Sequence, residues 1–482
     1  PKSTTNRYCC VMSPRVAGGV PYNDASREPS SYRHRCRELR SKWCETCVMQ
    51  MMASEIAQVT GGVLHGPDTT CDGASIDTRS IGSGELFIPV VDARDGHDFI
   101  TIAIEAGCGA YLTMREPQGG TAIVVDDTLR ALTALGREAR RRHSGPVIGI
   151  TGSVGKTSVK DLALAAIGHT RKTHASERSF NNELGVPLTL FNAPADTEVL
   201  IVEMGARGIG HNAELCKIAS PDIGIVTYVG AVHTSEFGTV EAVAQAKGEL
   251  IAALPVTGRA ILNADSAPVL AMKATSPAPV ITYGAGGDIA AADVALDSEL
   301  RPSFQVVSYG RVYPVALPAH GVHQVSNALA ALAAAEAVGV DLTSAIEGLA
   351  STVMSPWRME LGRTPDGAII INDAYNANAI STEAALRSLA AINAARRFAV
   401  LGVMAELGDR HDADHQAMAA LCAEFNVRLI AFQEPAYGVE PVQDFNGVVA
   451  ELGELNRFDA ILIKGSRVAG LEALAARLLS PS

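Results

Sequence analysis

No apolar run in the chain approaches the roughly 20 residues needed to cross a bilayer; the greasiest segments, such as Ala328 to Val338, are short and alanine-rich. A soluble, cytoplasmic protein without a transmembrane segment is expected. Positive charge is also in short supply, since 40 Lys and Arg face 52 Asp and Glu for a net charge of −12. A nucleic-acid backbone would therefore meet net repulsion, and no nucleic-acid partner is expected. Cysteine is too sparse for a disulfide-stapled scaffold, with nine in 482 residues. No repeat of solenoid period and no low-complexity block beyond alanine-rich helical stretches interrupts the sequence.

What remains is ordinary globular composition, 47% hydrophobic and 19% charged, with length for two to four domains. The first 50 residues differ from the rest: they hold 9 of the Lys and Arg against 4 Asp and Glu, and five of the nine cysteines. Cys44-x-x-Cys47 with Cys36 upstream has partial zinc-ligand spacing, but no second close pair completes it. The arginine-rich head 1–50 reads as disordered or non-native, with a targeting peptide and a metal site as the competing readings. Met51 and Met52 offer natural starts just ahead of the patterned sequence.

Beyond the head, the pattern predicts three α/β units at 51–143, 144–355 and 356–482. The first contains the turn Ser75-Ile-Asp-Thr-Arg-Ser80, a strand over 85–91, a strand over 122–125 and a helix with apolar Leu129, Leu132 and Leu135. The second opens with the strand Val147-Ile-Gly-Ile150 and continues with short apolar runs at 199–202, 223–227, 260–263 and 280–283 between helical patterns. A parallel sheet covered by helices is expected there. The third repeats the alternation, with strands at 369–372, 398–403, 429–432 and 460–463.

The strand at 147–150 runs directly into Thr151, Gly152, Ser153, Val154, Gly155, Lys156, Thr157 and Ser158, and then a helix. Glycines let backbone N–H groups approach phosphate, the helix start favours an anion, the lysine neutralises charge and the threonine suits Mg²⁺. The phosphate-loop match is partial, because Ile150 stands where the generic pattern has its first glycine. Glu203 ends an apolar strand, where a carboxylate can reach a metal beside that loop, although a solvated loop charge is the commoner fate of such a residue. His233 follows another strand end, and Lys247 lies further on in Gln245-Ala-Lys-Gly-Glu249. An ammonium repels Mg²⁺, so a lysine in a metal site requires that its charge be removed or inverted.

These motifs, with Ser179-Phe-Asn-Asn-Glu183, Glu203-Met-Gly205, and His323 with Asn327, resemble the Mur ligase family in order and spacing. Pro356-Trp-Arg358, Asn372 to Asn378, Leu401 to Gly408 and Lys464-Gly-Ser-Arg467 resemble the C-terminal unit of that family's branch which joins D-alanyl-D-alanine to UDP-N-acetylmuramoyl-tripeptide. The resemblance covers residues 52–480. It implies a three-domain architecture: a UDP-sugar-binding domain, a central P-loop parallel-sheet ATPase domain and a C-terminal Rossmann-like domain. It implies ATP and Mg²⁺, with peptide-bond formation through an acyl phosphate. By the same resemblance Ser75, Asp77 and Ser80 line the uridine-nucleotide pocket, and residues 151–158 with Asn327, Arg358 and Asp373 bind ATP. Thr157 and Glu203 serve one magnesium; His233 and Lys247 serve a second, with Lys247 carbamoylated to a carboxylate-like ligand. Lys156, His233 and Lys247 are the implied catalytic set.

Two positions depart from that branch: Val403 stands where an acid is usual, and Ala379 stands where proline is usual. The Asp-Asn-Pro-Arg run of the diaminopimelate-adding relatives is absent. Another ligase of the same architecture, such as the diaminopimelate-adding enzyme or folylpolyglutamate synthase, and a non-catalytic binding protein of the same fold remain the competing readings. Nucleotide-sugar binding separates folylpolyglutamate synthase, and phosphate release the non-catalytic protein.

Overall fold

The computed structural model describes residues 49–177, 179–230 and 237–480, and three larger sheets organise them. The basic head with Cys36, Cys44 and Cys47 lies outside the described residues, apart from its last two positions. The strand Gln50–Met52 pairs with Thr70–Asp72, and Met51 is buried, so ordered packing begins inside the segment set aside as the head.

The first sheet has five strands in the order Val63–His65, Ala122–Val124, Ala110–Thr113, Leu86–Phe87, Ala74–Ser75. The strand expected over 85–91 is shorter than its composition suggests. Pro89 has no N–H to donate, and the ladder stops at Phe87.

The central sheet has nine strands, and its order explains the cleft. From one edge they run Arg311–Ala316, Pro302–Ser308, Ile289–Leu296, Val280–Tyr283, Arg259–Asn263, Ile223–Val226, Val147–Thr151, Val199–Glu203, Thr173–Ala175. The chain leaves Val147–Thr151 towards one edge and later returns to pair on its other side, which opens a crevice at that strand's carboxyl end. The parallel expectation holds from Thr173–Ala175 as far as Ile289. Beyond it two antiparallel strands extend the sheet. Pro314 is tolerated because Arg311–Ala316 is the edge strand.

The third sheet runs Glu360–Arg363, Ile369–Asn372, Asp459–Lys464, Arg396–Leu401, Arg428–Ala431, parallel except for the first strand. Alternate residues serve opposite faces: Ile369, Ile371, Leu401 and Leu462 join one core, and Ile370, Val400, Ile461 and Ile463 the other. Helix Ala379–Ala391 begins at the Ala379 departure without loss. Asn378 caps it, with its Oδ1 accepting from the Ser381 N–H at 2.9 Å.

The three units are not equally independent. Helix Thr128–Arg142 ends the first, yet Ala131, Leu132, Leu135 and Ala139 pack in one continuous core with Val186, Leu190, Leu215 and Ile218 of the second. A Cβ at Gly136 would lie 2.4 Å from Pro187, so glycine is what permits this approach. Asn192 adds a polar clasp across the same boundary, accepting from the Ala74 N–H at 2.7 Å and donating to the Ala74 carbonyl at 2.9 Å. The third unit has cores of its own. Among its links to the second, Leu300 is buried with Met359 and Leu389, and Asp161 holds the incoming chain at Ser355.

Candidate active site

The carboxyl end of Val147–Thr151 turns into helix Lys156–Gly168 through two glycines that no other residue could replace in place. Gly152 and Gly155 have φ of 152° and 83°. A Cβ on Gly152 would lie 1.9 Å from Thr227 Oγ1, and one on Gly155 2.7 Å from Asn327 Oδ1. Thr227 fixes the loop by donating to the Val154 carbonyl at 2.5 Å. The loop backbone is thus closely confined on its protein side.

At the helix start Lys156 donates to the Gly152 carbonyl at 2.9 Å. Burial holds its ammonium below the ordinary lysine range, against the opposing charge of Glu203. Thr157 Oγ1 donates to Glu203 Oε2 at 2.9 Å, while Glu203 Oε1 accepts from Asn181 Nδ2 at 2.8 Å. Glu203 is itself buried at the end of strand Val199–Glu203, with its backbone N–H bonded to Ser176 Oγ. A buried carboxylate and a hydroxyl beside a phosphate loop are hard oxygen donors of the kind Mg²⁺ takes. The site therefore fits that ion.

Arg358 crosses to this cluster from the third unit. Its Nη2 donates to Thr157 Oγ1 at 3.0 Å, and its guanidinium lies 4.0 Å from the Tyr375 ring centroid. Its Nε is buried with no hydrogen-bond partner among the described residues. A guanidinium N–H left unmatched next to a phosphate loop suits an anionic oxygen. Trp357 and Met359, on either side of Arg358, both have positive φ, 58° and 54°, an uncommon state for side chains of that bulk.

Asp373 is one step further out. Its Oδ1 accepts from the Met359 N–H at 3.0 Å, and its Oδ2 pairs with buried Lys464. His323 lies in the same electrostatic neighbourhood, its Nδ1 buried and without a hydrogen-bond partner among the described residues. Asn327 donates to Gln324 Oε1 at 2.9 Å and faces Gly155.

Lys247, on helix Val240–Ala252, is almost wholly buried. Burial, followed by the nearby charge of Lys156, pulls its pKa down to about 7. Its Nζ lies 5.9 Å from the Phe237 ring centroid. His233 lies outside the described residues.

Ser75, Asp77 and Ser80 are held in one turn at the end of strand Ala74–Ser75. The Asp77 N–H donates to Ser75 Oγ at 3.1 Å, the Ser80 N–H to the Asp77 carbonyl at 3.2 Å, and the Asp77 carboxylate pairs with Arg79. Direct contacts thus unite Thr157, Glu203 and Arg358, and bring Asn327 against Gly155. They do not extend to the turn at 75–80. Sequence reasoning missed Thr227 and Asp161. Thr227 closes a strand end that carries no motif, and Asp161 acts on a residue 194 positions away.

A phosphate loop at the switch point of a mostly parallel sheet, a carboxylate on the neighbouring strand and an arginine delivered by a second α/β unit define a P-loop nucleotide-dependent enzyme with a capping domain. The Mur ligase middle domain matches residues 150–335 and the Mur ligase glutamate ligase domain residues 357–467. The chain belongs to the Mur ligase family. The UDP-N-acetylmuramoyl-tripeptide--D-alanyl-D-alanine ligase of Mycobacterium tuberculosis is 36% identical, over 90% of this chain and 98% of that protein. The crystal structure of MurF from Acinetobacter baumannii matches with a TM-score of 0.81 at 26% identity, over 90% of this chain and 100% of that one. The MurF ligase of Thermotoga maritima in complex with ADP matches with a TM-score of 0.73 at 27% identity, over 84% and 96%.

Proposed function

We propose that the chain is the ATP-dependent ligase that joins D-alanyl-D-alanine to UDP-N-acetylmuramoyl-tripeptide in the cytoplasm, a step of peptidoglycan precursor synthesis. The carrying observation is the near end-to-end match to ligases of that name, together with an intact Lys156, Thr157, Glu203 and Arg358 cluster. The first unit takes the uridine nucleotide at the turn of Ser75, Asp77 and Ser80, the second takes ATP, and the third takes the amine and covers the phosphates.

The terminal carboxylate of the tripeptide attacks the γ-phosphorus of ATP and ADP leaves. The amine of D-alanyl-D-alanine then adds to the acyl phosphate, and the tetrahedral adduct loses phosphate and a proton to give the amide. Lys156 and the loop amides orient the transferring phosphoryl group and spread its charge. Arg358 adds the donor that lacks a partner, its Nε. Thr157 and Glu203, with Asn181 holding the carboxylate in place, would hold Mg²⁺, which when bound neutralises phosphate charge. Asn327 and Asp373 frame the nucleotide.

Lys247 carries the finer part of the reading. With a pKa of about 7, a good share of its amine is neutral near physiological pH, and the neutral amine is the form that combines with CO₂. The carbamate would supply two oxygens and a negative charge where an ammonium would repel a cation, so Lys247, with His233 as the family resemblance implies, would hold a second metal ion. Lys247→Ala should lose activity and regain part of it with a short carboxylic acid; full activity in that variant would overturn the carbamate.

The test of the whole reading is direct. With ATP, Mg²⁺, UDP-N-acetylmuramoyl-tripeptide and D-alanyl-D-alanine, the protein should release phosphate only when both acceptors are present and yield the UDP-muramoyl-pentapeptide by mass. Phosphate release driven by a folate and glutamate instead, or none with any acceptor, would overturn it.

A further inference from the structure

Helix His411–Glu424 places His411 and His415 one turn apart, and Glu434 reaches them from the segment after strand Arg428–Ala431. The three side chains bring one ligand atom each to within 4.8 Å of one another. His411 Nε2 is 3.3 Å from Glu434 Oε1, and His415 Nε2 is 4.0 Å from Glu434 Oε2. A tetrahedral zinc ion with bonds of about 2.0–2.1 Å separates its ligand atoms by about 3.3 Å. Of the three edges, His411 to the carboxylate has that length already, while His415 to the carboxylate and the edge between the two imidazoles, at most 4.8 Å, would close as the ion binds.

The tautomer of His415 supports the same assignment independently. Its Nδ1 donates to the His411 carbonyl at 2.6 Å, so Nε2, which lies 4.0 Å from Glu434 Oε2, carries the ring's acceptor lone pair. An Nδ1–H held by a backbone carbonyl is how metal-ligating histidines are commonly oriented. That lone pair now accepts the Met404 N–H at 3.0 Å. His415 and Glu434 are buried, whereas the His411 side chain is 38% exposed and gives an ion a way in.

Met404 belongs to the loop 402–407 at the carboxyl end of strand Arg396–Leu401, beside Lys464 and Asp373. The loop is pinned by Tyr437, whose hydroxyl donates to the Gly402 carbonyl at 2.9 Å, and by Ser466, which accepts the Ala405 N–H at 2.9 Å. Tyr437 also meets His415 edge-on, with ring centroids 4.7 Å apart.

We propose that His411, His415 and Glu434 form a binding site for a zinc-class transition-metal ion, and that the ion competes with the Met404 N–H for His415 Nε2, freeing Met404 within the loop 402–407. Two imidazoles favour zinc over the magnesium of the phosphate cleft. The binding stands by itself; its effect on ligation rests on the proposed function.

The test compares the full chain with His411→Ala and Glu434→Gln. His411 offers only its exposed ring to the cluster, so its loss leaves the His415 bonds and the basal activity in place. In calorimetric titration with Zn²⁺, wild type should bind one more ion per chain than His411→Ala, or bind it at least about tenfold more tightly, with Glu434→Gln intermediate. Any zinc taken by the cysteines is common to all three proteins and cancels. Identical isotherms overturn the site and leave His415 as a structural support of the loop. With Mg²⁺ in excess, Zn²⁺ should raise the KM for D-alanyl-D-alanine in wild type and do so at least tenfold less effectively in His411→Ala. Equal zinc sensitivity overturns the coupling to the loop.

Discussion

Lys156 and Lys247 are both buried and near enough for their charges to interact, yet among the described residues only Lys156 has a carboxylate opposing its loss of charge. Lys156→Ala should abolish phosphoryl transfer while leaving the affinity for the UDP substrate nearly unchanged, because the turn at 75–80, the proposed uridine site, lies on another sheet. Equilibrium binding measured beside single-turnover phosphate release checks the split. Asp95 illustrates a structural charge. The His97 backbone N–H, with the His97 ring and Arg115, pulls its pKa down to about 2. A depressed carboxylate stabilises the fold above its unfolded pKa, and that contribution fades as pH falls from about 4 towards 2. Asp95→Asn should lower the Tm at pH 7 and match wild type progressively below pH 4, as thermal melts across that range would reveal.

Local elements were the legible ones. Strand, glycine turn and helix at 147–168 announce themselves because every residue involved is a near neighbour, and the same holds for the four strands of the third sheet that were read from apolar runs. The hairpin strands at 289–316 were not legible: they form a half-exposed sheet edge and carry polar residues and Pro314. Contacts between distant segments were equally silent. Asp161, on the phosphate-loop helix, accepts from the Ser355 N–H at 2.7 Å and the Ser355 hydroxyl at 3.1 Å, and no pattern in either segment says so. This clasp fixes where the linker begins, three residues before Arg358. Asp161→Ala should cost about 2 kcal/mol of stability through the buried donors it abandons, and should lower kcat more than it raises KM. Denaturant unfolding and steady-state kinetics separate the two effects.

At the scale of the whole molecule, the three larger sheets follow the alternation of apolar runs and helical patterns, but the unequal joining of the parts was not legible. Apolar stripes say that a helix is buried and not against which unit, so the stripe of Thr128–Arg142 could not announce its fit into the second. Removing residues 1–48 should leave Tm and ligation rate unchanged, because that polar, arginine-rich stretch has no apolar pattern with which to join a core. Parallel melts and rates of the two proteins check it.

The core common to the first two units, with the Asn192 clasp on Ala74 beside the turn at 75–80 that we propose takes the uridine nucleotide, has a further consequence. Two anchorages on one stiff frame make a caliper: a substrate held at its nucleotide end presents its far carboxylate to the phosphate loop only if its peptide spans the gap. UDP-muramoyl-dipeptide should accordingly bind with affinity close to that of the tripeptide yet be phosphorylated far more slowly, and competition binding set against acyl-phosphate formation would read the jaw opening directly.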